Sequence, residues 1–126
     1  MAKLMIMGAG GMGTALAVAF SQMGHQVWLW GWSAEENAAI RAARENVPLL
    51  RGVKIPEAVE IVDTAEAAAC CDLALIATPT IGVRGAARTL RGVLPAGRPV
   101  ACTSKGLEPK TLLPLHEVAA QELPGH

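Results

Sequence analysis

The strongest constraint on how this chain folds lies in its opening residues. A short apolar run, Lys3–Met7, leads without a spacer into Gly8-Ala9-Gly10-Gly11-Met12-Gly13, and an Ala- and Leu-rich stretch follows at once over residues 12–23. A continuous apolar run of that length reads as a strand buried on both faces. The stretch after the glycines reads as a helix, and Gly24 stands where a helix's left-handed closing residue is expected. Strand, glycine turn and helix in direct succession give each glycine a task. Gly8 permits the tight turn, Gly10 lets a ligand come close to the main chain, and Gly13 lets the helix pack against the strand. Free N–H groups and the dipole at the helix start favour an anion, so G-x-G-x-x-G in this context predicts a dinucleotide pyrophosphate site. Outside that context the same residues would be no more than a glycine-rich turn.

Strand and helix patterns alternate along the rest of the chain. Gln26–Trp30 is a second strand. Ser33-Ala34-Glu35-Glu36 forms a capping box, with Ser33 at the N-cap and Glu36 three residues on, opening a helix to about residue 45. Residues 46–58, with Pro48, Pro56, Arg51 and Lys54, are the least regular stretch. Val59–Val62 is a short strand, and Asp63-Thr64-Ala65-Glu66 caps a short helix through residue 69. The most apolar strand covers residues 73–77, ended by Pro79; a helix over 83–94 is closed by Pro95 and Gly97. Residues 99–103 are the last strand, and 111–123 a final helix with Pro114 in its first turn. This alternation predicts βαβ units in one domain, residues 1–126: an α/β, Rossmann-like doubly wound parallel sheet.

Composition narrows the function classes. At 52% hydrophobic and 17% charged residues the chain is globular. Its formal net charge of zero gives no general attraction to nucleic acid or to a membrane surface. Cys70, Cys71 and Cys102 make an odd count with two adjacent, a poor disulfide framework, and no C-x-x-C or histidine spacing suggests a metal site. The expectation is three buried, inert thiols in a reducing cytoplasm. Lys3, an apolar run and Ala17-Val18-Ala19 imitate a secretory leader, but the glycine motif interrupts the run, which is also short for a membrane span.

Ligands of open α/β sheets bind outside the carboxyl ends of the strands. Four segments follow strands here and so share that edge: the glycine turn, Trp32-Ser33, Thr78-Pro79-Thr80 and Thr103-Ser104-Lys105-Gly106. The end of the second strand is where an acid usually takes the adenosine ribose 2′-hydroxyl of NAD. No acid stands there, and Glu35 and Glu36 come later and serve the helix cap. The choice between NAD and NADP stays open, leaning to NADP. Ser33 can donate to either sugar, Trp30 is a core residue, and Trp32 suits stacking near the adenine or packing on the surface. Thr78-Pro79-Thr80 is either a ligand loop or a plain strand-ending turn. Lys105 suits an anionic substrate or a polarised carbonyl. His25 reads as a turn residue, and His116 has no carboxylate or serine partner, so neither is a catalytic candidate.

Several of these segments resemble the bacterial NAD(P)-dependent glycerol-3-phosphate dehydrogenases. They are Gly8 to Ala17, Gly24-His25-Gln26-Val27-Trp28-Leu29-Trp30-Gly31, Arg44-Glu45-Asn46, Thr78-Pro79-Thr80 and Thr103-Ser104-Lys105-Gly106-Leu107-Glu108-Pro109. The resemblance runs from about residue 4 to 123. It implies cofactor contacts at Gly8, Gly10, Gly11, Met12, Gly13, Trp32, Ser33, Pro79 and Lys105, with Lys105 also reaching dihydroxyacetone phosphate or sn-glycerol 3-phosphate. It implies that the proton-transferring lysine belongs to the family's second, helical domain, absent from these residues, so that this chain holds no catalytic acid or base. A homodimer in the full-length enzyme and a role in phospholipid precursor synthesis are further implications. Gly11 stands where the family commonly has serine, Met12 where it has an aromatic residue, and Trp32 where it has Arg or His. The alternatives are another two-domain NAD(P)-dependent reductase, against which Lys105-Gly106-Leu107-Glu108 argues, and a stand-alone nucleotide-binding or redox-sensing module.

Overall fold

A computed structural model describes residues 1–126. Five parallel strands make the main sheet: β1 (Lys3–Met7), β2 (Gln26–Trp30), β5 (Val59–Val62), β6 (Leu73–Ile76) and β7 (Val100–Cys102), in the order β5-β2-β1-β6-β7. β1 lies at the centre, with Met5 opposite Trp28 on one side and Ala74 on the other. This is the doubly wound arrangement expected from the sequence, and both faces are covered. Alternate residues of each strand enter opposite cores. Leu4, Ile6, Val27 and Leu29 pack with α1 (Gly11–Gln22) and α2 (Ala34–Ala43). Met5, Met7, Trp28 and Trp30 pack with α3 (Val83–Leu90) and α4 (Leu115–Glu122). Met5, Ile6, Met7, Val27 and Leu29 are fully inaccessible. Burying each such side chain contributes about 2 kcal/mol, which is why these strands read as unbroken apolar runs.

The element boundaries differ from expectation where the backbone leaves helical space. α2 stops at Ala43, not near residue 45, because Arg44 is left-handed at φ 52°. Residues 46–58 are not merely irregular: β3 (Glu45–Asn46) and β4 (Leu50–Lys54) form an antiparallel hairpin that touches both α1 and α2. Residues Glu66–Cys70 form a 3-10 turn with no side-chain cap, so the Asp63-Thr64-Ala65-Glu66 box is not used. A 3-10 turn at Thr80–Gly82 introduces α3, which ends at Leu90 instead of 94 because Arg91 is extended and Gly92 has φ 77°. Left-handed Lys110 and Leu112 delay α4 until Leu115, with Pro114 at its N-cap and not inside it. The expectation of three buried thiols is corrected too. Cys71 is buried, Cys102 intermediate and Cys70 exposed, since Cys70 ends the 3-10 turn on its solvent side. No helix is long and apolar enough to cross a membrane.

Candidate nucleotide site

The glycine turn is assembled as its sequence demanded. Gly8 has φ 129°, and a Cβ on it would stand 2.6 Å from the Ala77 carbonyl oxygen, so the end of β1 is squeezed against the end of β6. A Cβ on Gly13 would overlap the Gly8 carbonyl oxygen, which fixes how closely α1 lies on the turn. Gly10 is the opposite case: no atom lies within 4 Å of the place its Cβ would take. It is the N-cap of α1 with no side chain to cap the helix, and no acid occupies the first turn. The opening N–H groups of a helix lack internal acceptors. Here they face open space beside a bare backbone, a cradle that fits a pyrophosphate. Met12, 57% exposed, stands beside it, and Gly11 lies close under the Leu49 carbonyl of the hairpin.

The hairpin reaches the turn through Asn46. This side chain is buried, and its Nδ2 donates to the Ala9 carbonyl at 2.9 Å and to Thr14 Oγ1 at 3.0 Å. Both amide protons therefore hold the glycine turn to the first turns of α1. Asn46 was visible in the sequence only as part of a resemblance; nothing in its irregular surroundings announced a buried clamp.

At the end of β2, Trp32 leans edge-on against Trp30, with ring centroids 4.6 Å apart and planes at 65°. Its other support is α3, where a Cβ on Gly85 would come within 2.8 Å of the indole. Trp32 remains 58% exposed, which leaves aromatic surface that a planar base can stack on. Ser33 is the N-cap of α2, accepting from the Glu36 N–H at 3.2 Å, and its own hydroxyl proton stays free to donate. Below it lies Asn37, which is buried and donates to the Gly31 carbonyl at 3.0 Å and to Asp63 Oδ1 at 2.8 Å. Asp63 follows β5, so this carboxylate arrives from the neighbouring strand.

The ends of β6 and β7 are stitched together. Thr103 Oγ1 donates to the Ile76 carbonyl at 3.2 Å, Ser104 Oγ to the Thr78 carbonyl, and Thr80 Oγ1 to the Lys105 carbonyl at 2.9 Å. Thr78 is buried with its hydroxyl unpartnered, Pro79 is exposed, and the Lys105 side chain is in solvent. Behind this loop Arg84 of α3 grips Glu108 through Nε at 2.8 Å and Nη2 at 2.7 Å. Thr111 donates to the same carboxylate at 2.7 Å. Hydrogen bonds from Arg84 first, then Thr111, pull the Glu108 carboxyl from 4.5 to about 2. Glu122 is likewise lowered, chiefly by Arg88.

Every candidate named from the sequence thus lies on the carboxyl edge of the sheet. Gly8 abuts Ala77 and Thr78, and the Thr78–Thr80 turn carries the Lys105 backbone, so the glycine turn and the lysine loop are joined through one turn. Asn37, Asn46, Asp63, Arg84 and Glu108 were missed. Asn46 and Glu108 belonged to segments that carry the resemblance and Asp63 to an expected helix cap, but the partner of Glu108 lies 24 residues away.

The family profile described as NAD-dependent glycerol-3-phosphate dehydrogenase N-terminus matches residues 3–126. The chain belongs to this family. It is 37% identical over 122 residues to the glycerol-3-phosphate dehydrogenase [NAD(P)+] of Hydrogenovibrio crunogenus, covering 94% of this chain and 36% of that protein. Identity to the Aromatoleum aromaticum protein of the same name is 41% over 122 residues, 96% of this chain and 37% of that one. A crystal structure of glycerol-3-phosphate dehydrogenase from Coxiella burnetii superposes with a TM-score of 0.88 at 28% identity, over 97% of this chain and 38% of that one. The chain spans little more than a third of the length of each of these relatives.

Proposed function

We propose that residues 1–126 are one dinucleotide-holding domain serving the reduction of dihydroxyacetone phosphate to sn-glycerol 3-phosphate with NAD(P)H. The observation that carries this reading is the bare cradle at Gly10, framed by two glycines whose Cβ atoms would collide with main chain. A bound nicotinamide cofactor supplies the hydride. This chain's residues do the holding: the α1 N–H groups take the pyrophosphate, with Gly8, Gly11, Met12 and Gly13 shaping the turn around it. Trp32 and Ser33 receive the adenosine, and Pro79 walls the cleft between β1 and β6. Lys105 offers its ammonium to cofactor and substrate phosphate, from a backbone fixed by Thr80. Hydride transfer also needs a proton donor for the forming alkoxide and a pocket holding both partners in attack geometry. We assign those to the length that the relatives have beyond the part matched here. The setting is cytoplasmic, the product a phospholipid precursor, and the full-length assembly a homodimer without a nucleic-acid partner.

Titration of the purified chain with NADPH and with NADH tests this, following energy transfer from its three tryptophans to the nicotinamide. Saturable binding is expected, with no reduction of dihydroxyacetone phosphate. Absence of binding to either would overturn the reading of the cradle. Turnover by the chain alone would overturn the division of labour.

A further inference from the structure

The adenosine ribose of a dinucleotide lies where β2 ends, and an acid at that place accepts its 2′-hydroxyl in NAD-dependent folds. β2 itself ends in Trp30-Gly31-Trp32-Ser33, with no acid. The structure supplies one from the adjacent strand. Asn37, 1% exposed, uses one nitrogen to bridge the Gly31 carbonyl at 3.0 Å and Asp63 Oδ1 at 2.8 Å. The carboxylate is therefore pinned within one side chain of the β2 terminus. Its side chain is 48% exposed, and Oδ2 accepts no hydrogen bond.

The two arginines nearby spend their hydrogen bonds on main-chain carbonyls. Arg41 donates from Nε and Nη2 to the Ile61 carbonyl at 3.3 and 2.8 Å, standing 3.7 Å from Asp63 Oδ1. Arg44 donates to the carbonyls of Pro56 and Val59. The first turn of α2 adds two more negative charges, Glu35 and Glu36. A 2′-phosphate would meet the Asp63 carboxylate, with the one close guanidinium, Arg41, already engaged at the Ile61 carbonyl.

We propose that Asp63, positioned by Asn37, makes this domain select NAD(H) over NADP(H). Oδ2 accepts the ribose 2′-hydroxyl, and the carboxylate charge repels a 2′-phosphate. This rests on the nucleotide-binding reading above, and it reverses the leaning toward NADP that the sequence suggested when no acid could be seen.

The test measures dissociation constants of NADH and NADPH for the whole chain and for Asp63→Asn, Asp63→Ser and Arg41→Gln, with a thermal midpoint for each. Asparagine keeps an oxygen for Asn37 while removing the charge; serine repeats the charge removal should the first variant unfold. The wild-type chain is expected to bind NADH about tenfold more tightly than NADPH, and the charge-removing variants to bring that ratio down to about twofold. Arg41→Gln is expected to keep or widen the preference, because it unscreens the acid. Equal affinities in the wild-type chain, an unchanged ratio in both Asp63 variants, or a preference for NADH that narrows in Arg41→Gln would each overturn the assignment. Failure to bind either nucleotide overturns the nucleotide reading itself, and the two failures are told apart by the NADH measurement.

Discussion

Arg84 and Glu108 meet through two parallel hydrogen bonds, Nε to Oε2 at 2.8 Å and Nη2 to Oε1 at 2.7 Å. The pair ties α3 to the loop that presents Lys105, and Gln121 of α4 adds a contact to the same guanidinium at 3.1 Å. Planar bidentate pairing of this kind fixes orientation as well as distance.

The pair makes stability depend on acid. Folding lowers the Glu108 carboxyl from 4.5 to about 2, so the folded chain binds that proton less readily than the unfolded chain. The stabilisation is complete above about pH 4.5 and drains away as pH falls toward 2. Glu122, lowered through Arg88, acts in the same sense. A thermal melting series between neutral and acid pH is expected to show a falling midpoint across that window, with a shallower slope for Glu108→Gln. Identical slopes would show that the pair contributes nothing.

The glycines of the turn separate folding from binding. Gly10→Asp meets open space and places a good N-cap residue, so unfolding free energy should change by no more than about 0.5 kcal/mol. The new carboxylate would occupy the anion cradle and lower NADH affinity by about a hundredfold. Gly13→Ala has the reverse profile, driving a methyl into the Gly8 carbonyl at a cost of about 3 kcal/mol. Urea unfolding and nucleotide titration of both variants check the contrast; similar profiles would contradict it.

Asn46→Ala leaves the Ala9 carbonyl and the fully buried Thr14 hydroxyl without their shared donor. The expected loss is about 1–3 kcal/mol of stability. Nucleotide affinity should fall with it, because the turn is no longer held to the hairpin. Unchanged affinity at full occupancy of the folded state would show that the clamp serves folding alone.

Thiol chemistry should distinguish adjacent cysteines. Burial first, then the neighbouring Cys70, pushes the Cys71 thiol up to about 12, while Cys70 is exposed. At mildly alkaline pH a thiol reagent is expected to modify Cys70 in the folded chain and Cys71 only after unfolding. Peptide mapping by mass spectrometry reads the order directly.

The sequence exposed those features whose signals are local. Gly8 to Gly13 names its own conformation, Ser33 and Glu36 announce the start of α2, and the runs at 3–7 and 26–30 match the observed strands. Features made by distant partners were hidden. Asn46 looked like part of an irregular stretch because the atoms it binds lie 32 and 37 positions earlier. Asp63 looked like a helix cap; its carboxylate instead meets Asn37 across 26 positions. Helix ends were misjudged for a related reason. Left-handed Arg44 and Lys110 are set by where the chain must go next, and neither residue type signals that conformation.

The seams between the strand ends also bear on what a phosphate would have to organise. Thr103 and Ser104 are fastened to the β6 side, and the Lys105 carbonyl is held by Thr80. The part of Lys105 that no hydrogen bond holds is its exposed side chain. Ordering a long side chain costs about 2 kcal/mol of conformational entropy, whereas ordering a free loop adds 1–2 kcal/mol, roughly, for every residue of backbone. The loop's share of that disorder has already been removed during folding, so the lysine meets an incoming anion as a tethered charge on a fixed mount.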